Sequence, residues 1–132
     1  MSDSTEVLTI ELAMIRAQHK LLSEQALLWT LAASSLVVPT PDGNFTGESS
    51  TFVPLLVRYD EETLLVVFTD PRRMGRYVEK APRFIQMFGR DVILGIQPET
   101  GLVVNPESDL SFELPWETVS LMQDELRLPD TH

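Results

Sequence analysis

The chain has 132 residues, no cysteine and a formal net charge of −10. This length predicts one domain over residues 1–132, and the lack of thiols excludes disulfides, thiolate metal sites and cysteine nucleophiles. The negative charge argues against nucleic acid and anionic membranes as partners, because their phosphates repel an acidic protein.

The N-terminal region is helical in character. Its first residues are acidic, whereas a secretory signal is basic and then apolar, so we expect a cytoplasmic protein. Residues 5–34 contain no Gly or Pro, and this composition favours helix. Ser23 is a good N-cap within this stretch. The sequence therefore predicts two helices, near residues 5–19 and 23–34.

Extended segments follow the two helices. Residues 36–38 predict a short strand that Pro39 ends. The Pro, Gly, Asn and Ser content of residues 39–51 predicts a long loop. Residues 52–59 and 63–68 predict a β-hairpin, and the apolar run in its second strand indicates that this strand is covered on both faces.

The second half of the chain alternates helical and extended patterns. Asp70 as N-cap and Pro71 as first helical residue predict a helix that runs to about Lys80. Together with the first half, the pattern predicts an α+β fold, with a mixed sheet of about five strands, two N-terminal helices and further helices packed against the sheet. The remaining predicted elements are a strand over 84–88, a helix over 92–96 capped by Asp91, strands over 102–105 and 112–114, a helix from Pro115 and a loose tail over 129–132.

Three short motifs occur in a characteristic order. They are Ser35 to Pro39 (SLVVP), Phe68 to Asp70 (FTD) and Gly101 to Pro106 (GLVVNP). In this order, the chain resembles the N-terminal domain of the SseB family, named for enhanced serine sensitivity, over roughly residues 8–126. The resemblance implies a small bacterial cytoplasmic α+β domain and brings no known activity, cofactor or catalytic residues. The family usually has a small residue after Asn-Pro, where this chain has Glu107, so a pocket lined by that position would differ here.

The middle of the chain is basic although the whole chain is acidic. Residues 58–90 carry seven basic and five acidic residues, whereas residues 91–132 carry one and nine. In the predicted helix after Pro71, the side chains of Arg72, Arg76 and Lys80 are spaced by four and therefore share one face.

This basic face is the candidate binding site. The N-terminus of the predicted helix offers free backbone N–H groups that can receive an anion. The functional interpretation is a site for a small anion or an acidic partner. The alternative is a solvated face, or pairing with the acidic last third, and surface ion pairs contribute only about 0–1 kcal/mol each. The candidate binding residues are Thr69, Asp70, Arg72, Arg73, Arg76 and Lys80.

The sequence contains no catalytic or cofactor motif. His132 is the last residue of the chain, and His19 lies among apolar positions near a predicted helix end, so neither suits a preorganised acid–base site. Neither Gly-rich phosphate-binding motif occurs. Asn105, Glu107 and Asp109 alternate like the start of a calcium loop, but the Gly and Glu that such a loop needs further on are missing. We therefore expect no cofactor and no metal.

Three functions remain open at this level. The leading hypothesis is a non-catalytic cytoplasmic protein-interaction or regulatory module with an unknown protein partner. The second is a binder of a small anionic ligand at the basic helix face of residues 72–80. The third is an enzyme that uses carboxylates alone, because among twenty acidic residues some pair lies close by chance.

Self-association is a further expectation. Ile10, Met14, Leu21 and Leu28 lie off the main apolar seam of the N-terminal helices, which makes these helices apolar on more than one side. A homodimer through the N-terminal helices would cover this surface. Both tryptophans are expected to be core residues.

Overall fold

The computed structural model describes residues 9–40, 55–75, 77 and 83–127. These residues form an α+β fold, as the sequence predicts. Their strands number six and belong to two sheets, one more strand than the single mixed sheet predicted. None of the helices described here is long and apolar enough to cross a bilayer. The elements in chain order are α1 (Thr9–Gln18), α2 (Glu24–Ala33), β1 (Ser35–Thr40), β2 (Leu56–Tyr59), β3 (Glu62–Val67), a 3-10 turn (Pro71–Arg73), β4 (Arg83–Phe88), α3 (Gly89–Leu94), β5 (Thr100–Val104), β6 (Phe112–Leu114) and α4 (Trp116–Arg127).

The predicted break between the two N-terminal helices is confirmed. The Ser23 hydroxyl accepts a hydrogen bond from the Ala26 N–H at 3.1 Å and caps α2. The residues off the main apolar seam mostly face the core. Ile10, Met14 and Leu28 are buried, and Leu21 alone of the four is exposed, at 74%. On the seam itself, Leu12 and Ile15 of α1 are each 38% exposed, so these helices keep apolar surface and the homodimer stays a prediction.

The predicted hairpin is formed by β2 and β3. Asp60 and Glu61 connect them with φ values of 53° and 65°. Two consecutive positive φ values are typical of the two-residue turn that matches strand twist. Strand β3 is covered on both faces as expected, because Leu65 and Val67 belong to one core cluster and the alternate residue Val66 belongs to another.

The larger sheet has four strands in the order β2-β3-β5-β6. Strands β3 and β5 are parallel, with Val67 opposite Val104. Both strands therefore end at the same edge of the sheet. The crossover between them contains β4 and α3 and closes the main core between the sheet and the helices.

The second sheet pairs β1 with β4 in antiparallel register. The prediction that Pro39 ends the first strand is wrong, because β1 continues to Thr40. The backbone N–H and C=O of Val37 bond to Phe68 on the side away from β4, and the Pro39 carbonyl accepts from Leu55 N–H on that same side. The backbone nitrogen of Pro39, which carries no hydrogen, therefore points away from β4. No hydrogen bond between β1 and β4 is lost, and a strand tolerates proline at such a position. Most of the predicted loop over 39–51 lies outside the described residues.

Helices α3 and α4 complete the described chain. Asp91 was expected to cap a helix over 92–96, but α3 begins at Gly89 and Asp91 lies inside its first turn. A side-chain carbon at Gly89 would collide with the backbone carbonyl of Leu31, so this glycine lets α3 pack closely on α2. The predicted tail over 129–132 lies outside the described residues.

The last helix behaves largely as its pattern predicts. Val119, Met122 and Leu126 of α4 are buried along one face. The expectation for the tryptophans is wrong, because the exposed fractions of Trp29 and Trp116 are 41% and 39%. Both tryptophans therefore contribute to the surface as well as to packing.

Candidate functional site

A buried polar cluster lies where the two parallel strands end. Thr69 lies two residues beyond the end of β3, Asn105 follows β5 directly, and both residues are buried. In sheets with parallel strands, polar residues beyond the carboxyl ends are the usual place for a site. This edge is therefore the first position in the fold to examine for function.

Asn105 organises the cluster. Its side-chain oxygen accepts from the Thr69 N–H at 2.9 Å, and its amide nitrogen donates to the Leu110 carbonyl at 2.9 Å and to the Thr69 hydroxyl at 3.0 Å. Its own N–H donates to the Val67 carbonyl at 2.9 Å. Its φ of 55° is left-handed, a conformation that asparagine adopts more readily than most residues. Asn105 thus ties the ends of β3 and β5 to the loop that follows β5.

Glu11 reaches the cluster from α1. Arg73 donates to both carboxylate oxygens of Glu11, from Nε at 3.0 Å and from Nη2 at 3.2 Å. The Thr69 hydroxyl donates to Glu11 at 2.5 Å. The Arg73 hydrogen bonds hold the pKa of Glu11 below its ordinary value against the opposing effect of burial, and the Thr69 hydrogen bond lowers it further. The same pair raises the pKa of Arg73, so both side chains are ionised.

A second ion pair lies beside the first. Asp70 caps the 3-10 turn by accepting from the Arg72 N–H at 2.9 Å, and it also accepts from Nε and Nη2 of Arg72 at 2.9 and 3.0 Å. These hydrogen bonds from Arg72 lower the pKa of Asp70. The side chain of Arg72 is 75% exposed, whereas that of Arg73 is 35% exposed. The two neighbouring arginines therefore point into different environments.

The predicted continuous helix from Pro71 to Lys80 is corrected by the structure. The chain forms a 3-10 turn over Pro71–Arg73, and Gly75 follows with a φ of +53°. A left-handed residue interrupts a right-handed helix, so no single continuous helix runs from Pro71 through Gly75. Arg76 and Lys80 lie outside the described residues.

The structure brings four of the six candidate binding residues together. Thr69, Asp70, Arg72 and Arg73 lie in or beside the cluster, and each makes a hydrogen bond there. Sequence reasoning missed two members, Glu11 and Asn105. Glu11 had a signal, since it is an acidic residue between two apolar ones, Ile10 and Leu12, in a helix that must bury one face.

The chemistry of the cluster is mutual neutralisation. Glu11 and Asp70 each hold an arginine, so neither carboxylate is available as a free base in this arrangement. Among the described residues, no group of three or more His, Asp or Glu side chains could hold a metal ion. A cavity of 270 Å³ beside the cluster is lined by Arg73, Tyr77, Pro106 and Glu107, among others. Glu107, the unusual residue after Asn-Pro, therefore does line a cavity at the carboxyl edge of the sheet.

Strand β4 forms a second candidate surface. In the described part of the chain it pairs with β1 alone, so it lies at the edge of its sheet. Phe84 and Phe88 are 41% and 62% exposed, and Gln86 between them is exposed as well. The alternate residues Ile85 and Met87 pack against the main core. One face of this edge strand is therefore partly buried against the core, while the other presents two aromatic rings.

The comparison with protein families identifies the chain. The family model described as the SseB protein N-terminal domain matches residues 10–120, which is most of the chain. The chain therefore belongs to this family. No curated protein and no solved structure gives a match.

Proposed function

We propose that this SseB N-terminal domain is a non-catalytic protein-interaction module of the cytoplasm, whose partner adds an extended strand to the outer edge of β4. Strand addition joins two proteins through main-chain hydrogen bonds, and side chains at alternate positions supply specificity. The observation that carries the proposal is the edge of β4, where outward backbone groups and exposed aromatic rings occur on the same residues.

The direction of the backbone groups follows from strand β1. Val37 uses its N–H and C=O to bond Phe68, on the side of β1 away from β4. Val37 is directly opposite Gln86, so these two residues form a non-hydrogen-bonded antiparallel pair. The N–H and C=O of Gln86 must then point to the outer edge of β4. By the same alternation, so do the N–H and C=O of Phe84 and the N–H of Phe88, whose carbonyl belongs to the N-cap of α3.

The side chains add recognition to this edge. Edge strands in natural proteins are usually protected by charges, proline or bulges. Between Arg83 and Phe88, strand β4 contains no charge and no proline. A partner strand that pairs with this edge would place its own apolar side chains beside Phe84 and Phe88, where cross-strand contacts stabilise pairing.

The two alternative functions have less support. A small-anion site needs cations that can turn to the ligand, and Arg72 and Arg73 already bind Asp70 and Glu11. At the polar cluster, a carboxylate enzyme needs one free carboxylate to accept a proton, and both Glu11 and Asp70 are held in ion pairs there.

The experiment uses two substitutions of one residue. Gln86→Pro removes the outward N–H donor, whereas Gln86→Ala shortens the same side chain and keeps the donor. We expect the wild-type chain and Gln86→Ala to retain one and the same protein from a cytoplasmic extract. Gln86→Pro and the double variant Phe84→Ser/Phe88→Ser should lose it. Circular dichroism checks that all variants are folded.

Two results would decide against strand addition at β4. One is a partner that folded Gln86→Pro retains as well as the wild type does. The other is a partner lost equally with Gln86→Ala, since that would indicate side-chain contact without strand pairing. If a second copy of the chain is the strand donor, light scattering of the purified protein will show a dimer that Gln86→Pro converts to a monomer.

A further inference from the structure

A groove of 280 Å³ runs between helices α2 and α4. Its lining includes Leu28 and Trp29 from α2 and Leu121 and Met122 from α4. Leu28 and Met122 are buried and form its floor, whereas Trp29 is 41% exposed and Leu121 is 66% exposed. An apolar channel between two helices, with exposed apolar walls, is the shape that accepts a third helix.

The groove is built on rigid supports. Both helices pack on α3. On the α4 side, the Gln123 amide donates to the carbonyls of Ile93 and Ile96 at 2.9 and 3.0 Å. On the α2 side, Gly89 allows the backbones of α2 and α3 to approach closely. A groove held in this way is present before a ligand arrives, which reduces the ordering cost of binding.

The charges at the groove are of one sign. The charged residues in its lining are Glu24 and Glu125, and the lining contains no basic residue. Within the described residues, neither of these glutamates forms an ion pair. Two acidic rim residues around an apolar channel complement a helix that is apolar on one face and basic beside it.

We propose that the α2–α4 groove binds an amphipathic helix of a partner protein, with leucine-like residues against Leu121 and Trp29 and lysine or arginine beside Glu24 and Glu125. Helix α4 has 12 residues and is about 18 Å long, so it offers contact to about three turns of the bound helix. This surface is distinct from the edge of β4, and the proposal stands without the strand-addition function.

The probe is a synthetic peptide of about 14 Leu and Lys residues with all Leu on one helical face, about 21 Å long as a helix. A second peptide has Glu in place of every Lys. Binding is measured at about 150 mM salt, where charges further apart than about 8 Å are largely screened. In a Trp116→Phe background the emission reports on Trp29 alone. We expect the Lys peptide to shift this emission to shorter wavelength and the Glu peptide to leave it unchanged.

Two kinds of variant test the contacts. Leu121→Ser removes a side chain that is 66% exposed, so the fold should persist, while affinity for the Lys peptide should fall about tenfold. The double variant Glu24→Lys/Glu125→Lys should lower the affinity for the Lys peptide at least as much. The matched control is Asp109→Lys/Glu113→Lys, which changes the net charge equally at exposed positions outside the groove.

The proposal is supported if the groove variants lower the affinity for the Lys peptide and the control variant does not. Equal weakening by the control pair would show attraction to the overall negative charge and would overturn it. So would an unchanged affinity of the Leu121→Ser variant, or a Trp29 emission that the Lys peptide does not shift.

Discussion

The basic turn after β3 and the acidic α2–α4 groove handle charge in opposite ways. In the basic turn, Arg72 and Arg73 each bind a carboxylate, so most of their charge is compensated inside the chain. At the groove, Glu24 and Glu125 have no ion-pair partner among the described residues. A region rich in one charge in the sequence is thus compensated in the fold, while another presents its charge to the outside.

The difference teaches that a charge count along the chain does not locate charge on the surface. One interpretation of the sequence pairs the basic segment with the acidic last third. Arg73 instead pairs with Glu11, 62 residues earlier in the chain, and Arg72 pairs with Asp70, two residues away. Neither of these two pairs engages Glu125 of the groove, which is the surface that we propose a basic helix recognises.

The largest expected effect concerns the residue that holds the basic turn in place. Asn105→Ala should lower the free energy of unfolding by about 2–4 kcal/mol, because the Thr69 N–H and the Leu110 carbonyl lose their buried partner. Urea unfolding followed by circular dichroism measures it.

Asn105→Gly is the matched control for this change. Glycine adopts the left-handed φ of 55° without strain, so it should be less destabilising than alanine by roughly 1 kcal/mol. Both variants lose the side-chain amide of Asn105, so most of the loss in the free energy of unfolding should be common to them. A loss below about 1 kcal/mol in Asn105→Gly would mean that the amide network contributes little and that the basic turn is held by other contacts.

The apolar pattern was sufficient to predict most elements but not this turn. Strand β3 and the buried face of α4 follow from runs and spacings of apolar residues, because burial is the strongest local signal in a sequence. The predicted helix over 71–80 failed at Gly75, where the left-handed φ interrupts it. A single glycine costs a helix only about 1 kcal/mol, so propensity alone did not indicate an interruption.

The polar cluster could be predicted only in part. Thr69, Asp70, Arg72 and Arg73 were identified because they are close in sequence and could share one helix start. Glu11 was not, because its contact with Arg73 depends on how α1 packs against the end of β3. A pairing across 62 residues follows from tertiary structure, which local spacing does not encode.

The second prediction compares the two neighbouring arginines. Arg73→Met should destabilise the fold by about 2–3 kcal/mol, since it leaves the largely buried Glu11 carboxylate without its counter-charge. Arg72→Met should cost at most about 1 kcal/mol, because its pair with Asp70 is solvent-exposed on the arginine side. Thermal and urea unfolding of the two variants measure the difference. Equal losses would contradict the view that burial separates the two ion pairs.

The third prediction is a pH dependence of the same cluster. Hydrogen bonding to Arg73 lowers the pKa of Glu11 in the folded state, so its contribution is fully present above its ordinary value of 4.5 and is lost as the pH falls through the folded value. The variant Glu11→Gln should therefore lose less stability than the wild type between pH 7 and acidic pH. Urea midpoints measured across this range test it. Parallel curves for the two proteins would show that Glu11 is not stabilised by Arg73.

The smallest expected effect concerns the acidic groove. Glu125 lies in the last turn of α4, where the helix dipole disfavours a negative charge, and it has no ion-pair partner within the described residues. Glu125→Gln should therefore change the free energy of unfolding by no more than about 0.5 kcal/mol, with any change in the stabilising direction. The same unfolding assay, repeated at low and high salt, measures it. A charge that serves recognition need not stabilise the fold. A clear destabilisation would therefore indicate that Glu125 has a structural partner. The charge at the groove would then be compensated within the chain, as the charges of Arg72 and Arg73 are.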